Sequence, residues 1–563
     1  WSHFDLVVID ESHNFRNRNE DVEHLSRYMK LMNDIIKKGH GKKVLMLSAT
    51  PVNNSLVDLK NQISIITADR DHALEEKGIP SIANLLRKTQ KEINDWLNTE
   101  DRTKSNLLDR LPAEFYKLLE IMTISRSRKH ITGYYGDSNL GKFPYKLPPQ
   151  TYHPEIDTAG KLLHFAETNE TLESLKLAVY APMSYIKSEY KAFYREKYQT
   201  VYGDRVLFYH ESRELITAKL HRFNLFKRLE SSVFSFGETI RRLIARIDSY
   251  IDVISRCHAG DVELAGEEYT EEDVTLDYKY EIKVEHLLAA DFLEDLYYDK
   301  GILEELYRDV SEVLNGKRDA KLKKLEEIII EKITKTPYNP GNRKMLIFSA
   351  FADTANYLYD SIAQELAQHG INVACITGSG EPRTTMKNIR SEFNTILRHF
   401  SPKSKLGEDL PKEKQIDVVI ATDCISEGQN LQDCDNVINY DIQWNPVSLI
   451  QRFGRIDRIG STNTNIQMIN FFPNVDLNEY LGLEARVKGK MTALNIVSTG
   501  DEDFLSPEMN DFNFRKRQLE KLKDEVVDID DTNENISLTD LNMNEYLYEL
   551  SDYVKRVPET KKV

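Results

Sequence analysis

Met345-Leu346-Ile347-Phe348, Val373-Ala374-Cys375-Ile376, Val418-Val419-Ile420 and Val437-Ile438-Asn439-Tyr440 are four short apolar runs separated by helical segments. Runs that are apolar at consecutive rather than alternate positions read as strands buried on both faces of a parallel sheet. Residues 341–475 are therefore predicted to form an α/β domain. Within it Ser401 to Gln415, poor in apolar residues and carrying Pro402, Gly407 and Pro411, is predicted to be a mobile surface loop. Towards the start of the chain, Leu6-Val7-Val8-Ile9 and Val44-Leu45-Met46-Leu47 enclose a helical stretch, so residues 1–70 read as a second, β-α-β block. Residues 71–340 are mostly helical in pattern, interrupted by a loop-like segment from Gly133 to Pro154. Phe226, Leu229, Val233, Phe236, Ile240, Leu243, Ile247, Tyr250 and Ile254 recur at alternating spacings of three and four. That spacing predicts one long helix within about 211–258, its apolar side packed on the apolar series of 284–333. Residues 261–285 are acidic and read as a solvated hairpin loop, and 476–563 as a helical, acidic tail.

A chain of 563 residues fits two to four domains. Asp and Glu number 91 against 75 Lys and Arg, and the resulting charge of −16 excludes a uniformly basic nucleic-acid coat while allowing a local basic track. Hydrophobic residues, at 40%, suffice for substantial cores. No apolar run is long enough to span a bilayer and no leader opens the chain, so no membrane contact and a cytoplasmic location are expected. Cys257, Cys375, Cys424 and Cys434 have no CxxC spacing and are too sparse for a disulfide framework. Trp1 stands almost directly before a strand, which suggests a piece of a longer protein.

The first strand ends in Asp10-Glu11, two carboxylates at the carboxyl edge of a parallel sheet, where open α/β folds bind ligands. Asp10 can hold Mg²⁺ there, often through water, and Glu11 can orient or deprotonate a water attacking a phosphoryl group. Arg455 and Arg458, three residues apart, are expected on one helix face, able to meet the same phosphate.

Val7-Val8-Ile9-Asp10-Glu11-Ser12-His13 resembles the DExH box of superfamily-two helicases and translocases. Ser48-Ala49-Thr50-Pro51 resembles their motif III, and Gln451-Arg452-Phe453-Gly454-Arg455-Ile456-Asp457-Arg458-Ile459-Gly460 their motif VI. The resemblance narrows to the Swi/Snf-type DNA translocases. Thr50-Pro51-Val52-Asn53-Asn54-Ser55-Leu56 is similar to that family's TP-x-x-N-x-L segment, and Arg126-Ser127-Arg128-Lys129 with Leu147-Pro148-Pro149 to its RR-x-K and following LP. Leu346-Ile347-Phe348-Ser349 is similar to motif IV. Thr422-Asp423, Glu427-Gly428 and Asn430-Leu431 are similar to motif V, and Asp441-x-x-Trp444-Asn445-Pro446 to the run before motif VI.

The resemblance implies α/β, RecA-like parallel-sheet lobes, the first incomplete, with a large all-helical insert between them. ATP and Mg²⁺ would lie between the lobes and double-stranded DNA across both. It assigns catalysis to Asp10, Glu11, Arg455 and Arg458, nucleotide contacts to His13, Glu427, Gly428 and Gln451, and DNA contact or coupling to Ser48, Thr50, Ser349 and Thr422. A protein partner on the helical insert is also expected. A nucleotide-hydrolysing P-loop, G-x-x-x-x-G-K-[ST], does not occur, so this chain alone is expected not to hydrolyse ATP. Two alternatives stand beside this reading: a strand-separating helicase acting on DNA or RNA, and a catalytically inactive protein-binding scaffold.

Overall fold

The computed structural model describes residues 4–15, 18, 26–38, 41–48, 56–97, 110–124, 142–160, 165–198, 200–202, 205–208, 221–222, 224–256, 263–266, 280–378, 380–425, 428–442 and 446–472. They fall in two compact units, with residues 4–124 in the first and 142–472 in the second. The tail after residue 472 and Arg126 to Lys129 lie outside the described residues.

In the first unit β1 (Leu6–Ile9) is followed by a short helix, α1 (Arg27–Leu31), and by β2 (Lys43–Met46). The strands pair in parallel, Val7 opposite Val44 and Ile9 opposite Met46, which is the β-α-β order the sequence implies. Ser26 starts α1 by accepting the Met29 N–H on its hydroxyl at 3.2 Å. Helices α2 (Leu56–Thr67), α3 (Ile82–Leu97) and α4 (Ala113–Met122) bury Leu59, Ile63, Leu86, Phe115 and Leu118 among themselves. One face of the strand pair packs on Tyr28, Met32 and Ile65. The other is bare: Leu6, Val8, Leu45 and Leu47 are 46–55% exposed, where the apolar runs predict burial on both faces.

The second unit opens with β3 (Tyr145–Lys146) and β4 (Gln150–Tyr152), then α5 (Phe165–Ser174), α6 (Ser188–Lys197) and the antiparallel pair β5 (Thr200–Tyr202) and β6 (Arg205–Phe208). There follow α7 (Val233–Arg256), the antiparallel pair β7 (Glu263–Gly266) and β8 (Tyr280–Lys283), α8 (Ala289–Asn315) and α9 (Ala320–Lys335). The α/β part then runs β9 (Met345–Phe348), α10 (Ala352–Gln368), β10 (Val373–Ile376), β11 (Arg383–Thr384), α11 (Phe393–Phe400), α12 (Pro402–Leu406), β12 (Val418–Ala421), β13 (Asn436–Asn439), α13 (Pro446–Phe453) and β14 (Asn465–Phe471).

Its sheet has the order β11-β10-β12-β9-β13-β14-β3, with β4 also on β14, and every pairing is parallel except β10 with β11. Alternate residues feed opposite faces. Met345, Ile347, Val418 and Ile420 meet Leu325 and Ile329 of α9 and Leu358 and Ile362 of α10. Leu346, Phe348, Val419 and Ala421 meet Ile396 and Phe400 of α11 and Phe453 of α13. Burial from both sides is why the four runs read as continuously apolar. The thiols of Cys375 and Cys434, pushed up to about 12 by burial, serve as core packing.

Several features differ from the sequence reading. The loop-like segment before Pro154 supplies β3 and β4, because their backbone amides find partners on the open edge of β14. With β5 to β8 as well, the insert is not all-helical. The apolar stripe does pack on α8, through Phe236, Ile240 and Ile247 against Leu296, Leu303 and Val310. It is not one helix, however: the helical residues 224–231 end at Ser232, whose hydroxyl accepts the Ser235 N–H at 3.0 Å and starts α7. The α9 part of the expected partner series packs on the sheet instead. Finally, Ser401 to Gln415 carries α12, held in place because the Asp433 carboxylate accepts the N–H groups of Lys403 and Ser404 at 2.8 and 3.1 Å.

Candidate functional site

In the first unit Asp10 and Glu11 follow β1, and Ser48 lies two residues beyond β2, all at the carboxyl ends of the two strands. The Leu47 N–H bonds to the Ile9 carbonyl and the Ser12 N–H to the Leu47 carbonyl, so the ladder extends past the strands and fixes the turn. Glu11 has φ +47°, the left-handed region, and its N–H bonds the Asp10 carboxylate at 2.9 Å. Ser12, buried, donates to Gln62 of α2 at 3.1 Å and anchors this strained turn. Asp10 is exposed. Among the described residues no three His, Cys, Asp or Glu gather as a metal site. Asp10 alone offers one exposed carboxylate, so a cation such as Mg²⁺ would need its remaining ligands from elsewhere. The backbone of His13 is in a 3₁₀ turn, Ser12–Phe15; its side chain, and Thr50 entirely, lie outside the described residues.

In the second unit the carboxyl edge of the sheet gathers Ser349 after β9, Gly378 after β10, Thr422 and Asp423 after β12, and Asp441 after β13. Arg452, with 0% exposure, joins two of these strand ends, those of β12 and β13. Its Nε and Nη2 donate to the two Asp423 oxygens at 2.7 and 3.1 Å, and its Nη1 to Asn439 Oδ1 at 3.1 Å and the Asp441 carbonyl at 3.4 Å. A bidentate pair with the remaining donors satisfied is the geometry in which a buried guanidinium is tolerated. Thr422 closes the edge on the other side by accepting the Gly378 N–H at 3.1 Å.

Asp441 is the second centre. One oxygen accepts both Ser231 and Ser349 hydroxyls, at 2.5 and 2.6 Å, and the other accepts the Ala350 N–H at 2.7 Å. Ser231 belongs to the helical insert, so the insert is hydrogen-bonded to the sheet edge through a buried carboxylate. Lys321 of α9 adds a cation, donating to the Glu230 and Ser231 carbonyls at 2.6 and 3.0 Å above the Tyr440 ring. Burial lowers its pKa to about 8, opposed by Asp441, Glu230 and Asp319.

Helix α13 ends at Phe453, so Arg455 and Arg458 do not share a helix face as expected. Leu431 N–H takes the Arg455 carbonyl at 2.9 Å and draws the chain out of the helix. Each guanidinium turns back four residues, Arg455 Nε to the Gln451 carbonyl and Arg458 Nε to the Gly454 carbonyl, both at 3.1 Å. Arg455 Nη1 also reaches the Gln429 carbonyl at 3.3 Å, which ties the turn to the loop after β12. Buried Asp457, between the two arginines, pairs with Lys146 of β3 at 3.3 Å. Gly428 is exposed with φ +69° and open space where a Cβ would stand. Glu427 and Trp444 lie outside the described residues.

Ser349 requires a correction. It has 0% exposure and its hydroxyl is committed to Asp441, so in this arrangement it is a strut and not a phosphate contact. Thr422, 7% exposed, is likewise engaged with the Gly378 N–H. Sequence reasoning missed Lys146, Ser231 and Lys321 and gave no role to Arg452, Asp423 or Asp441. Glu230-Ser231-Ser232 lie between the stripe residues Leu229 and Val233, as other polar residues lie along the stripe, and gave no distinct signal.

Residues 320–460, from the start of α9 to the end of the arginine turn, match the helicase conserved C-terminal domain. This part of the chain is helicase-like. A Bacillus subtilis protein named as an uncharacterized ATP-dependent helicase is 56% identical over 46 residues, 8% of this chain and 8% of that one. A Scheffersomyces stipitis protein named as a mitochondrial ATP-dependent RNA helicase is 25% identical over 139 residues, 24% of this chain and 22% of its own. The match therefore spans less than a quarter of either relative's length. The Pyrococcus furiosus Hef helicase domain is 14% identical at a TM-score of 0.37, over 87% of this chain and 73% of that one.

Proposed function

We propose that this chain acts as part of an ATP-dependent DNA translocase of the Swi/Snf type, with two RecA-like lobes that bind ATP between them and hold duplex DNA by its phosphates. The observation that carries this reading is the Arg452 clamp. It joins Asp423 to the end of β13, so the stretches resembling motifs V and VI and the D-x-x-WNP run form one connected polar edge rather than three surface features.

On this reading Asp10 holds Mg²⁺, which neutralises phosphate charge, and Glu11 orients the attacking water. Arg455 and Arg458 donate to phosphoryl oxygens. His13, Glu427, Gly428 and Gln451 line the nucleotide, while Ser48, Thr50 and Thr422 couple it to DNA. The bare apolar face of β1 and β2 supports a first lobe completed by further sequence, since a two-stranded sheet alone is marginal. On this reading hydrolysis also needs a phosphate cradle, and no P-loop string occurs in these 563 residues.

A second reading, strand separation on RNA, is favoured by the similarity to a relative named as an RNA helicase. ATP turnover separates the two. Stimulation by blunt duplex DNA above that by RNA supports a DNA translocase, and the reverse order supports the second reading.

A further inference from the structure

Helix α12 is held against the loop that follows β12. Besides the two amides bonded to Asp433, the Ser404 hydroxyl donates to the Asn430 carbonyl at 3.4 Å, and Lys405 Nζ donates to Gln429 Oε1 at 2.6 Å. Gln429 is the residue whose carbonyl accepts Arg455 Nη1, so Lys405 and Arg455 reach opposite ends of one residue, next to the open Gly428.

Lys405 differs from its neighbours. Lys403 pairs with Asp409 at 3.1 Å, whereas Lys405 makes no ion pair among the described residues. Its one bond is to a neutral amide, and desolvation alone holds its pKa below the ordinary lysine value. A half-buried ammonium with no counter-charge among the described residues has lost hydration without gaining an anion from them. A phosphoryl oxygen arriving from outside supplies what is missing.

We propose that Lys405 is a phosphate-binding residue of this lobe, contributed by Ser401 to Gln415 and acting beside Gly428 and Arg455. The inference rests on the nucleic-acid reading above and extends it to a residue outside every motif that carried that reading. The phosphate can belong to a nucleic-acid backbone or to a nucleotide.

The test is fluorescence anisotropy of this chain with a blunt 20-base-pair duplex across a salt series, with a parallel ATP titration, for the parent chain, Lys405→Gln and Lys405→Arg. A backbone contact releases counterions, so Lys405→Gln should flatten the log affinity against log salt slope by about 0.9. At 0.1 M salt it should bind about eightfold more weakly, as that slope gives when extrapolated from equality at 1 M. Lys405→Arg should restore the slope. Loss of ATP affinity with an unchanged slope supports a nucleotide as the phosphate's source. A parent chain with a salt-dependent slope that Lys405→Gln leaves unchanged, along with its ATP binding, overturns the proposal and spares the nucleic-acid reading. A parent chain with no salt-dependent binding, and ATP binding unaffected by Lys405→Gln, overturns both. An unchanged melting temperature shows that the comparison is between folded proteins.

Discussion

The Ser231 hydroxyl lies 2.5 Å from Asp441 Oδ2, and both residues are buried. Since the Asp441 carbonyl also receives Arg452 of α13, the helical insert and α13 meet at one residue of the sheet edge.

That junction should be coupled in stability. Ser231→Ala removes one hydroxyl and should cost about 1–2 kcal/mol, whereas Asp441→Ala strands two hydroxyls and the Ala350 N–H and should cost about 3–5 kcal/mol. In urea unfolding the double variant should lose clearly less than the sum of the two. Additive losses would mean that the two groups do not interact.

Lys321 should give the chain an alkaline signature. Its folded pKa, about 8, is below the unfolded lysine value, so between pH 8 and about 10.5 the unfolded chain binds the extra proton. Stability relative to Lys321→Met should therefore rise with pH across that window and stay level below it. The urea midpoints of the two proteins at pH 7, 8.5 and 10 measure this, and a constant difference would contradict the burial of the ammonium.

Gly237 of α7 should resist replacement although alanine is the better helix former. A Cβ there would stand 2.6 Å from Val310 Cγ1 of α8, a branched side chain within the core. Gly237→Ala should lower stability by about 1–3 kcal/mol, and adding Val310→Ala should recover part of the loss. A raised melting temperature for the single variant would refute the close approach of the two helices.

What the sequence made legible follows from how local each signal is. Strands β9, β10, β12 and β13 could be read because a sheet covered on both faces needs consecutive apolar residues. The packing of the stripe on α8 was equally legible, since burial repeats with the helix. Strands β3 and β4 were not, because Tyr145–Lys146 and Gln150–Tyr152 are short, flank Pro148 and Pro149, and form only by adding to an edge built by residues more than 300 positions later. The site divided in the same way. Asp10, Glu11, Arg455 and Arg458 stand out in the sequence through the motifs they resemble, while the bonds of Ser231 and Lys146 cross 210 and 311 positions and leave no local pattern.

Glu11 offers a kinetic test in any form of the protein that turns over ATP. With the carboxylate acting on the attacking water, Glu11→Gln should spare ATP binding and reduce turnover by orders of magnitude. Near-normal kcat would remove Glu11 from the chemistry.

Displacement of a triplex-forming strand from blunt duplex DNA tests the proposed translocation most directly. A form of the protein that turns over ATP should release the third strand in an ATP-dependent manner while leaving a forked duplex paired. Unwinding of the fork, or of an RNA duplex, without triplex release would contradict a DNA translocase.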